Sequence, residues 1–167
     1  MDLKLEDLKI INENIDLDRY ILFREYVKQY MECPQWLGDF SKEDLITLLE
    51  TGSKIWMYYF ENDPVCSMMF IPSDENSVVD FELNIDHKEM ADYGPMMVNP
   101  KYIGNNLQYQ MLKKLDEYSI EKDLNYAVAT AHPNNIFSIN NLVKDNFEII
   151  KQKEFKRGLR NVYLKKL

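Results

Sequence analysis

The segment from Val98 to Leu112, VNPKYIGNNLQYQML, limits what this chain can fold into more than any other stretch. An apolar run ends at Val98, Pro100 and Gly104 punctuate it, and Leu107, Met111, Leu112 and Leu115 then recur at helical spacing. The pattern predicts a strand that passes through a tight Gly/Asn turn straight into a helix. A helix start presents backbone amides and the positive end of the helix dipole, so such a turn suits an anion, for example a phosphate. The same residues also suit an ordinary strand-turn-helix connection, and the turn alone does not separate the two.

The rest of the chain reads as alternating helices and strands. Leu8 to Asn12 suits a short strand, and Asp16 to Glu32 an amphipathic helix with Asp16 as its N-cap. Ser41 opens a second helix through Leu49, with Asp44 placed for a capping box and Gly52 closing the end. Ile55 to Phe60 and Val65 to Ile71 flank Glu61-Asn62-Asp63-Pro64, a hairpin signal. Residues 72 to 89 suit either an extended excursion or a helix, and we favour a helix over Glu75 to Leu83. There follow a strand over Met90 to Val98, a helix over Leu107 to Lys122, a strand over Tyr126 to Thr130 and a helix over Ile136 to Lys144. A terminal hairpin of Glu148 to Phe155 and Asn161 to Lys165 turns at Arg157-Gly158. With 167 residues, 46% of them hydrophobic, and no repeat or linker, the expectation is one α/β domain over residues 1–167.

Composition narrows the partners. A net charge of −8 argues against nucleic acid and mildly favours cationic ligands. No apolar run approaches the ~18 residues of a membrane span, and the charged start MDLKLEDLK does not read as a secretory signal, so a soluble, cytoplasmic protein without membrane contact is expected. Cys33 and Cys66 lie in separate elements and read as buried thiols. Two separate histidines and two separate cysteines supply no metal site.

A second block, Ala131 to Phe147, reads AHPNNIFSINNLVKDNF. Together the two blocks resemble the GCN5-related N-acetyltransferases (GNAT family), whose members carry a Val-x-Pro approach, a glycine-rich pyrophosphate loop, and later Asn-x-x-Ala/Ser before a helix ending in Gly-Phe. Val98 and Pro100 match the approach, Gly104 the turn glycine, and Asn135, Ser138 and Phe147 the later intervals. The block HPNNIFSINN, followed by a basic terminal hairpin, is similar to a bacterial branch of that family. The resemblance implies an acyl-CoA N-acyltransferase fold: a central, mostly antiparallel sheet with splayed middle strands and flanking helices. It implies acetyl-CoA as co-substrate and transfer of its acetyl group to a primary amine of a small molecule or peptide. A homodimer is allowed. The sequence departs from the family at Ile103, where Gln or Arg is usual, at Asn106 and Gln108 in the Gly/Ala-type positions, and at Leu142, where many members carry a Tyr that protonates the leaving thiolate. Asn tolerates left-handed backbone, so Asn105 and Asn106 can still form the turn.

By this resemblance, the main chain of Met96, Met97 and Val98 holds the pantetheine and polarises the thioester, while Ile103, Gly104, Asn105, Asn106, Leu107 and Gln108 wrap the pyrophosphate, with Asn135 and Ser138 reaching the cofactor arm. Attack by an amine also needs a base. Asp92 lies six positions before Val98, where histone-acetylating relatives place a glutamate, and period-two geometry would set Asp92, Gly94, Met96 and Val98 on one face. Glycine and proline at 94 and 95 suit a bulge. Tyr93 or Glu82 could serve instead of Asp92, and His132, following a strand, could relay a proton. Because Ser73 to Glu89 carries six acids against Lys88, Asp80 and Glu82 are expected to draw a basic, polyamine-like acceptor. Two other readings are carried along: a degenerate acyl-CoA-binding module, motivated by Ile103 and Leu142, and an acidic interaction protein without cofactor.

Overall fold

The computed structural model describes residues 2–167. Its elements run β1 (Lys9–Ile11), α1 (Leu17–Lys28), α2 (Lys42–Glu50), β2 (Lys54–Phe60), β3 (Asp63–Pro72), α3 (Glu75–Asp80), β4 (Met90–Tyr93), β5 (Met97–Val98), α4 (Leu107–Glu121), β6 (Tyr126–Ala131), α5 (Ile136–Lys144), β7 (Glu148–Phe155) and β8 (Gly158–Lys166). The strands follow the order β1-β2-β3-β4-β6-β8-β7, with β5 also on β3. The β4–β6 pair is parallel; β1–β2, β3–β4, β3–β5, β6–β8 and β7–β8 are antiparallel. This is the mixed α/β, mostly antiparallel architecture expected. The chain gathers into two compact units, one running to Met69 and taking in Gly94–Met111, the other made of Phe70–Tyr93 and Leu112–Leu167.

Local signals explain most element ends. Asp16 caps α1 by accepting from the Arg19 amide at 3.2 Å. Ser41 and Asp44 close a reciprocal capping box on α2, at 3.1 and 3.2 Å. A second box, Asp74 with Ser77, starts α3. That helix stops short of Leu83, because Glu82 takes a left-handed φ of 55° and the Leu83 amide bonds back to the Val78 carbonyl at 2.9 Å. Phe81 is thereby turned into the apolar cluster of Met90, Val128 and Val162.

The strand expected over Met90–Val98 is interrupted. β4 pairs Tyr93 with Phe70, whereas β5 pairs Met97 with Ser67, so four steps on one strand oppose three on the other. The extra residue sits in Gly94-Pro95-Met96, as the bulge signal predicted. Gly94 still donates to the Met69 carbonyl at 3.0 Å, and Pro95 has no amide to give. The bulge cancels period-two counting, so the shared face assigned to Asp92 and Val98 does not follow. The terminal hairpin also differs: Lys156-Arg157 form the turn, and Gly158, at φ 108°, begins β8.

In the second unit the sheet has two distinct faces. Parallel register aligns Asp92 with Val128, so Met90, Asp92, Val128 and Thr130 project to one side, where Val78, Phe81 and Leu83 pack. Ala91, Tyr93 and Ala127 project to the other.

Candidate active site

The Gly104 turn is built within the first unit. At the end of β5, the Asn99 amide donates to the Val65 carbonyl at 2.8 Å, its Nδ2 donates to Pro64 at 2.7 Å, and its Oδ1 accepts from the Lys101 amide at 3.0 Å. Pro100–Tyr102 then form one 3₁₀ turn. Asp63 holds this turn from below, accepting from Tyr102 Oη at 2.9 Å and Lys101 Nζ at 3.1 Å. Ile103 points to solvent. Gly104 at φ 95° and Asn106 at φ 57° take left-handed backbone, and Asn105 does not.

Asn105 has a different task from the one expected. Its Oδ1 accepts from the Leu3 amide at 2.9 Å and its Nδ2 donates to the Tyr102 carbonyl at 2.9 Å. Gln110 joins it, accepting from the Leu5 amide at 3.0 Å and donating to the carbonyls of Asn105 and Leu3 at 2.9 and 3.2 Å. The loop is thus clamped by the N-terminal segment, more than 100 residues distant in sequence. No local pattern announces that contact. Leu107, Met111, Leu112 and Leu115 are buried as their spacing required, and Met97 is core while Met96 and Val98 are half-buried.

What remains outside the clamp is open. A Cβ built on Gly104 meets nothing within 4 Å. The ladder of α4 begins with the Gln110 amide on the Asn106 carbonyl at 3.1 Å, so the amides before it lie outside the helix's own ladder. These residues fit an anionic group such as a pyrophosphate.

The remaining candidates lie in the second unit. Asp92, half-buried at the end of the apolar face, has its carboxyl pushed up to about 6 by burial, against the pull of the Arg157 guanidinium. Arg157 itself is exposed and donates to Thr130 Oγ1 at 2.8 Å. Neither Thr130 nor Arg157 was singled out in the sequence; a basic residue in a hairpin turn carries no signal of its own. Tyr93, on the opposite face, is committed to structure. Its hydroxyl donates to Asp116 at 2.9 Å and lies 3.0 Å from Ser119 Oγ, and burial pushes its pKa up.

His132 accepts the Asn134 amide on Nδ1 at 3.1 Å, which makes Nε2 the donor in the neutral ring. Asn135 caps α5, accepting from the Ser138 amide at 3.4 Å. Leu142 is core.

The acids expected to attract a polycation are engaged nearby. Glu82 pairs with Lys151 at 3.3 Å and Lys153 at 3.5 Å, and the Lys151 hydrogen bond holds its pKa low. The Asp80 carbonyl accepts from Lys153. Asp74 caps α3, Asp86 accepts from the Lys88 amide, and Glu89 accepts from Asn125. Within this segment Lys151 and Lys153 thus neutralise Glu82, while Asp80 is met through its main chain.

No family model and no curated protein matches this sequence. Solved structures do. A GNAT family acetyltransferase from Elizabethkingia anophelis with acetyl-CoA bound superposes with a TM-score of 0.68 at 14% identity, over 97% of this chain and 99% of that one. An N-acetyltransferase from Staphylococcus aureus gives 0.69 at 15% identity, over 95% and 98%. An aminoglycoside acetyltransferase in complex with coenzyme A gives 0.71 at 11% identity, over 95% of each chain. The fold is that of the GNAT acetyltransferases.

Proposed function

We propose that this chain is an acetyl-CoA-dependent N-acetyltransferase that moves the acetyl group to a primary amine of a small molecule or peptide by direct attack. The observation that carries the reading is the Gly104 turn, whose left-handed glycine and clamped Asn105 border open space at the start of a helix. Coenzyme-bound neighbours of the same fold support it.

On this reading the loop from Ile103 to Gln108 cradles the pyrophosphate through its main chain, and the main chain of Met96 to Val98 receives the pantetheine and thioester carbonyl. The attacking amine must be neutral. Asp92 takes its proton, and a carboxyl with a pKa of about 6 is ionised at neutral pH while being more basic than an ordinary aspartate. The amine nitrogen forms its bond to the acetyl carbon as the sulfur leaves with the C–S electron pair, and the second proton that the nitrogen sheds goes to the thiolate. Leu142 is apolar and buried, so that proton is delivered by water or by another hydroxyl. His132 and Asn135, at the start of α5, are assigned contacts to the cofactor arm.

Calorimetric titration with acetyl-CoA and thiol release on an amine panel test the proposal. Gly104→Val forces a β-branched residue into left-handed backbone and fills the open space, and should weaken acetyl-CoA binding by about 2 kcal/mol or more, roughly thirtyfold, in a protein that still folds. An unchanged dissociation constant in the folded variant overturns the loop assignment. Leu142 also favours a second reading, a non-catalytic acyl-CoA-binding module, for which acetyl-CoA binds and no amine releases thiol.

A further inference from the structure

The corner around Asp92 holds charges of both signs on one sheet face. Parallel pairing sets Asp92 on β4 level with Val128 on β6, and Thr130 lies two residues on from Val128, so all three project to the same side. The β7–β8 turn brings Arg157 onto that side, where its guanidinium donates to Thr130 at 2.8 Å. The guanidinium acts on the Asp92 carboxylate through its field, while its hydrogen bond goes to a neutral hydroxyl. A guanidinium has five donors in a planar fork, and Thr130 takes one of them, which fixes the side chain and leaves the fork able to grip a carboxylate.

Val128 and Val162, on the same side, are fully buried in the cluster with Phe81 and Met90, so Asp92 and Arg157 lie at the edge of the core. In the nearby acidic segment, Lys151 and Lys153 hold Glu82.

We infer that the acceptor carries an anionic group as well as its amine: an amino-acid-like zwitterion whose nitrogen approaches Asp92 and whose carboxylate is gripped by Arg157, oriented by Thr130. This rests on the proposed acetyltransferase reading and replaces the polyamine expectation for the same site. A carboxylate held by Arg157 places the amine at Asp92 by geometry, and a polycation would instead meet the guanidinium as a like charge.

The test compares free amino acids, their decarboxylated amines and spermidine as acceptors, by thiol release with the whole chain and by calorimetric titration into CoA-saturated protein. Carboxylate-bearing acceptors should exceed their decarboxylated partners about tenfold or more in kcat/KM and in affinity. Arg157→Gln should raise the KM of carboxylate-bearing acceptors about tenfold more than that of the decarboxylated amines, with acetyl-CoA affinity unchanged, beyond any change shared by all acceptors through the Asp92 field; Arg157→Lys should restore part of the selective loss. Equal use of both acceptor classes, a preference for spermidine, no heat from any amino acid, or an equal loss on all acceptors in Arg157→Gln overturns the inference while acetyl-CoA binding stands. Failure of the unaltered chain to bind acetyl-CoA overturns the proposed function, and this inference with it.

Discussion

Two acidic environments lie on opposite faces of the same sheet in the second unit, and they are built on opposite principles. On one face, Asp116 and Asp145 are buried and surrounded by matched donors: Lys165 pairs with both, Lys113 meets Asp145 at 3.0 Å and Asp116 at 3.4 Å, and Tyr93 closes the network. The Lys165 ammonium also lies 5.6 Å from the centre of the Phe147 ring, which stacks edge-on against Tyr93. On the other face Asp92 pays for burial without a hydrogen-bonded counter-ion, since Arg157 turns to Thr130. Burial raises the Asp145 carboxyl as well, but there hydrogen bonds from Lys165 and Lys113 pull against it, whereas at Asp92 only the field of Arg157 does.

The comparison breaks most severely at Asp145. Asp145→Ala removes, at the end of α5, one of the two carboxylates that Lys165 and Lys113 share, and should destabilise the protein by about 3 kcal/mol or more in denaturant titration. Loss of less than about 1 kcal/mol would mean that the network is not holding the fold.

Asp92→Asn should act in the opposite direction on stability. A carboxyl raised from 3.8 to about 6 binds its proton more tightly folded than unfolded, so the cost of the ionised form is absent below pH 3.8 and complete above about pH 6. The variant should therefore gain up to about 3 kcal/mol at pH 8 and nothing at pH 3.5. A melting temperature that responds equally at both pH values would contradict the assignment. In the same variant, turnover at neutral pH should fall about a hundredfold, with the deficit shrinking as pH rises and the amine deprotonates unaided. On the proposed function, the rate of the unaltered chain should rise through about pH 6 as Asp92 ionises.

The smallest effect belongs to Tyr93→Phe, which removes one hydroxyl from the paired face. It should cost about 1 kcal/mol in stability and leave turnover near that of the parent. A large loss of turnover with unchanged stability would return Tyr93 to the chemistry and erase the distinction between the faces.

How much of this was legible depends on the distance over which each feature is decided. The caps at Asp16 and Ser41, the bounds of α5, and the left-handed Gly104 and Asn106 were read correctly because each is settled by residues within one turn of chain. The candidate site was legible only in part. Asn105 was read as a turn former and is a clamp on Leu3; Tyr93 was read as a candidate base and is bonded to Asp116 and Ser119; Glu82 was read as bait for a cation and is neutralised by Lys151 and Lys153.

The sequence by itself determined the strand-turn-helix at Gly104, the alternation of elements and the choice of fold, since propensity, capping and hydrophobic period act between near neighbours. Only the tertiary structure decided which charges are spent and which are kept. The bulge at Gly94–Met96 breaks the count from Asp92 to Val98, and the β7–β8 turn carries Arg157 to Thr130, 27 residues away in sequence. The electrostatic energy of a carboxylate is set by the groups folded around it and by the water they exclude, and no spacing along the chain encodes either.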